Sequence, residues 1–153
     1  MKILVSAFVC CFGGILLWVN GTNLWYVMSS FRTPKYSVSV TGAFLLWLVA
    51  YALCGAVLAL ILSCGMSVGR CRPGSALTAF AMCCGVYLLM LVWYAIFFCT
   101  HLTLFALILL LSVLALTIAV FCMIRHGLMT LKLLLFGIAA VELYFIYFNI
   151  SVL

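Results

Sequence analysis

The chain has 153 residues, 71% of them apolar and 5% charged, with mean hydropathy +1.53 and a net charge of +6. A soluble domain carries about 45–50% apolar and about 25% charged residues, so this chain could not cover itself with polar surface in water. A bilayer removes that need, provided backbone groups bond internally in helices or a closed barrel; barrel strands alternate in polarity, whereas the apolar runs here are continuous. The expected fold is therefore all-α, a single integral membrane bundle of five transmembrane helices.

A crossing takes about 20 residues, which leaves room for one bundle and no extramembrane domain. The first helix is expected over 3–19, after Lys2 and before Asn20-Gly21-Thr22-Asn23. Its core is long for a signal peptide, and no small-x-small cleavage site precedes Asn20, so it reads as retained. Residues 20–37 form the longest polar stretch, with Trp25-Tyr26 suited to the membrane interface, then Arg32, Pro34 and Lys35. The second helix is expected over 38–64. Gly69-Arg70-Cys71-Arg72-Pro73-Gly74 then breaks the chain before a third helix over 75–99.

Between Val86 and Ile124 polar punctuation is almost absent. That stretch is too long for one crossing even when tilted, so a turn is expected at Thr100-His101 and a fourth helix over 102–124. Arg125-His126-Gly127 ends it, and a fifth helix is expected over 130–151. With five spans, Lys2, Arg70, Arg72, Arg125 and Lys132 share one side and Arg32 and Lys35 the other, which places the N-terminus on the positive-inside face. The sequons at Asn20 and Asn149 fall on the opposite face, too close to the membrane to be modified.

The basic residues read as juxtamembrane anchors. A nucleic-acid partner would need them clustered on one exposed face, and they are not. Of nine cysteines, all but Cys71 lie in apolar runs, where Cys acts as a small hydrophobe. The absence of C-x-x-C argues against thiol redox chemistry. Two His and one acid give no metal site, and no nucleophile–base pair or phosphate loop appears, so the chain is not expected to be an enzyme.

Two features remain. Glu142 is the only acid and sits inside the fifth apolar run; an intramembrane carboxyl points to function by default, and equally to structural bonding with a neighbouring helix. The aromatics Trp47 and Tyr51 form an i, i+4 pair on a face that Gly55 extends, and Trp93, Phe97 and Phe98 mark the third helix. Such rings could wall a flat apolar ligand or simply pack a core.

These residues resemble the translocator protein, or tryptophan-rich sensory protein (TSPO/MBR), family. The similarity lies in Trp25-Tyr26, in Pro34 followed by Trp47, Tyr51 and Gly55, and in Trp93 with Phe97-Phe98. An ungapped register then places Phe105 on a family aromatic and Asn149 on a fifth-helix Asn. The chain departs from the family pattern at Met90, Leu91 and Leu109. It departs again at Gly137-Ile138-Ala139-Ala140-Val141, at Phe145 and at Phe148. It lacks the paired prolines after Pro34, and no basic residue follows Tyr144.

The resemblance implies a five-helix bundle closed by its first loop, with an apolar ligand bound between the helices. That ligand would be a tetrapyrrole such as haem or protoporphyrin, or a sterol such as cholesterol. It implies Trp47, Tyr51, Trp93, Phe97 and Phe105 as pocket lining, with Phe145 and Phe148 narrowing the pocket. It further implies no required cofactor, residence in the mitochondrial outer membrane or another intracellular membrane, and homodimers. A non-catalytic tetraspan-like scaffold, and a small proton-coupled carrier using Glu142, are the alternatives.

Overall fold

Continuous apolar sequence becomes continuous helix because a span in lipid must bond all its own backbone groups. A computed structural model describes residues 2–20, 40–64, 75–100, 102–124 and 128–153. Five α-helices result: α1 Lys2–Asn20, α2 Val40–Cys64, α3 Ser75–Ala95, α4 Thr103–Met123 and α5 Met129–Val152. No strand lies among them. The Trp25-Tyr26 and Pro34 segment lies outside the described residues, as do Arg32, Lys35, Arg70, Arg72, His101, Arg125 and His126.

Among the described residues four stretches are long and apolar enough to cross a membrane: Thr41–Cys64, Ala76–Phe98, Thr103–Met123 and Met129–Val152. Isolated hydroxyls within them are satisfied inside their own helix, bonding the carbonyl one turn back. Ser63 Oγ donates to the Ala59 carbonyl at 2.8 Å, and Ser112 Oγ to that of Ile108 at 2.9 Å. Outward positions are large and apolar, among them Leu62, Leu77, Leu104, Leu133 and Phe136, and a bilayer accepts such a surface where water would not.

The helices α2, α3, α4 and α5 form a ring in which each touches the next and α5 returns to α2. Helix α1 packs outside this ring, mainly along α2 and also on α3. It runs antiparallel to α2, since Cys11 Sγ reaches the Leu48 carbonyl (3.7 Å) while Ser6 and Ala7 lie over Gly55. The Tyr87 hydroxyl of α3 donates to the Cys10 carbonyl at 3.3 Å. Small residues at a helix crossing let backbones approach, and at Gly55 of α2 the backbone of α1 passes close, at Ser6 and Ala7.

The expected break after the third helix has a specific form. Helix α3 ends in a π-helical turn, Ile96–Thr100, and α4 begins at Thr103. Thr100 Oγ1 donates to the Ile96 carbonyl at 2.7 Å. Wide turns of this kind are rare and recur at functional positions.

Candidate functional site

Six of the seven positions expected to line a pocket meet at the junction of α2, α3 and α5. Trp47 and Tyr51 come from α2, Trp93 from α3, Phe97 from its π-turn, and Phe145 and Phe148 from α5; all six are buried. Phe105 does not join them. It lies on the outer side of α4 and is 50% exposed, while its neighbour Ala106 faces inward and is fully buried.

The six rings touch one another. The Trp47 ring centre is 4.6 Å from that of Trp93 and 4.6 Å from that of Phe145. Trp93 stacks on Phe97 at 5.2 Å and meets Phe145 at 5.4 Å, and Phe97 meets Phe148 at 6.0 Å. These are ring contact distances, so the rings fill the junction with each other. The edge-on arrangements, 75° between Trp47 and Tyr51 and 77° between Trp47 and Phe145, set positive ring edges against negative faces.

Both indole N–H groups have acceptors, as buried donors require. Trp47 Nε1 donates to the Tyr51 hydroxyl at 2.9 Å. Trp93 Nε1 donates to the Asn149 side-chain oxygen at 3.1 Å, once the amide is oriented to match its neighbours, and the Asn149 nitrogen then donates to the Thr103 carbonyl at 3.1 Å. Asn149 thus ties α5 to α3 and to the start of α4. Sequence register singled out Asn149 without assigning it a role; its signal was an amide buried in an otherwise apolar span.

A second interhelical polar contact joins α4 and α5. Glu142 is fully buried, and its Oε1 stands 2.8 Å from the hydroxyl of Thr117 on α4, which is itself 3.1 Å from the Val113 carbonyl. The Thr117 hydroxyl thus donates toward both the Glu142 carboxyl and the carbonyl one turn back in its own helix. Glu142 Oε2 has no hydrogen-bond partner among the described residues. The contact joins α4 to α5 as interhelical bonding does in membranes.

Thr117→Val is therefore expected to cost about 1–3 kcal/mol by stranding the buried carboxyl. Thr117→Val with Glu142→Leu should cost less than Thr117→Val alone. Unfolding of the detergent-solubilised variants measures both.

Among the described residues no group of three or more His, Cys, Asp or Glu side chains is placed to hold a metal ion. Cys10, Cys11, Cys54, Cys83, Cys84 and Cys122 are free thiols; Cys54 Sγ lies 3.9 Å from Met90 Sδ inside the ring, as an adaptable sulfur contact. What the aromatic junction offers chemically is flat, polarisable apolar surface edged by one amide and one phenol. Compared with known proteins, the chain matches no family model and no curated protein.

Proposed function

We propose that this protein is a membrane bundle that binds a flat apolar ligand, a tetrapyrrole or a sterol, at the aromatic junction of α2, α3 and α5. The observation that carries the reading is the convergence of Trp47, Tyr51, Trp93, Phe97, Phe145 and Phe148 from three helices onto one buried place. Aromatic faces with a few fixed polar groups suit a planar apolar molecule. The rings occupy the junction, so binding requires Phe145 and Trp47 to rotate and open a slot against Trp93. In this reading α1 also crosses the membrane, giving five spans and opposite faces for the two termini.

The test is a titration of the detergent-purified chain with protoporphyrin IX, followed by the Soret band, with a photoreactive sterol as competitor. Saturable binding is expected, weakened at least about tenfold by Trp93→Phe with Phe145→Ala and unchanged by Phe105→Ala on the outer face. Absence of saturation with either ligand sinks the proposal. That result would leave the scaffold reading, which the filled junction favours.

A further inference from the structure

The outer side of the α4–α5 seam carries a groove with two adjoining parts, which share Phe121 and Phe136. The deeper part, about 160 Å³, lies between Thr117, Ile118, Phe121, Leu135, Phe136 and Ala139. The wider part, about 620 Å³, extends to Met129, Thr130, Lys132 and Leu133. From Lys132 to Ala139 the groove follows α5 for about 10 Å, at about 1.5 Å per residue. None of the six rings at the aromatic junction lines either part.

The two ends differ in chemistry. Lys132 is the only basic residue within α2 to α5 and stands in the first turn of α5, with its Nζ 5.0 Å over the Phe121 ring. Thr130 also lines this part of the groove. Apart from Thr117, whose hydroxyl is bonded to Glu142, the remaining wall is apolar, and its rim residues Ile118, Met129, Leu133 and Phe136 are exposed. The result is an apolar channel open to the bilayer, with an ammonium at its membrane-surface end.

We infer that this groove seats one anionic phospholipid of the leaflet at the Lys132 end, its phosphate at Lys132 and an acyl chain against Phe121, Phe136 and Ala139. Charge complementarity selects the occupant. A basic side chain at the head of an interhelical groove holds a lipid phosphate, whereas a sterol or a second transmembrane helix brings no anion to Lys132. The site is separate from the aromatic junction and does not depend on the proposed ligand there.

The experiment is native mass spectrometry of the full chain released from micelles doped with equal phosphatidylglycerol and phosphatidylcholine of matched chains. Wild type is expected to retain one phosphatidylglycerol in preference to phosphatidylcholine. Lys132→Gln should lower that preference roughly fivefold, about what one basic side chain near a lipid surface contributes, and Lys132→Arg should keep it. Ala139→Phe, which fills the deep end, should lower retention of both lipids. Equal retention of the two lipids by wild type, or an unchanged preference in Lys132→Gln, would overturn the inference. So would displacement of the phospholipid by cholesterol or by free oleate, or a lipid-free dimer in its place. Protoporphyrin binding should be the same in Lys132→Gln as in wild type, so failure at one site is distinguishable from failure at the other.

Discussion

Trp93→Ala is expected to destabilise the bundle by about 3–5 kcal/mol, the range for deleting a large buried aromatic. Trp93 is 1% exposed and contacts the rings of Trp47, Phe97, Phe98 and Phe145. Its loss leaves a cavity at the meeting point of three helices and removes the donor to Asn149. Trp93→Phe keeps a ring in place and forfeits mainly the hydrogen bond, about 1 kcal/mol. Unfolding in detergent, followed by helical circular dichroism, separates the two. Equal losses from Ala and Phe would mean that the hydrogen bond, and not the ring packing, holds the junction.

Among the glycines of the described residues, Gly55→Ala is expected to be the substitution that most disturbs the backbone packing. A β-carbon there would stand 2.5 Å from the Ser6 carbonyl oxygen and 2.6 Å from the Ala7 Cα. Both are backbone atoms, so no side chain can swing away, and α1 must back off from α2 along its main contact. The cost is at least that of ordinary overpacking, about 1–3 kcal/mol. Gly85→Ala is the matched control. Its β-carbon would meet nothing nearer than Leu116 Cδ1 at 3.9 Å, and replacing a mid-helix glycine is favourable by up to about 1 kcal/mol. A thermal midpoint that falls for Gly55→Ala and holds or rises for Gly85→Ala is the expected pattern; equal midpoints would rule out the close α1–α2 crossing.

Helix positions were legible because lipid forces regular bonding wherever the sequence is apolar for long enough. The end of α3 was legible only as a break, since nothing in Ile96-Phe97-Phe98-Cys99-Thr100 distinguishes a π-turn from an ordinary one. Which side of each helix faces inward was legible for α2, where Trp47, Tyr51 and Gly55 mark a stripe, and α1 packs at the end of that stripe. It was not legible for α4, which is apolar around its whole circumference and so gives periodicity nothing to report. That is why Phe105 was expected in the junction while Ala106 occupies the inward position. Thr117 was missed for a related reason: a threonine in an apolar run ordinarily bonds its own helix, and only the tertiary placement of Glu142 makes it an interhelical partner.

The return of α5 to α2, which closes the ring, has a consequence in time. Chains are made from the N-terminus, at about 5–20 residues per second, so Trp47 and Trp93 exist before Phe145, Phe148 and Asn149. Until α5 arrives, the Trp93 indole lacks its acceptor, Thr117 lacks the Glu142 carboxyl, and the aromatic junction lacks one of its three walls. Helix α5, made after α2, α3 and α4, thus completes both of these interhelical polar contacts and the junction together. A chain interrupted before α5 would leave the Trp93 indole of α3 without its Asn149 acceptor and the Thr117 hydroxyl of α4 without the Glu142 carboxyl.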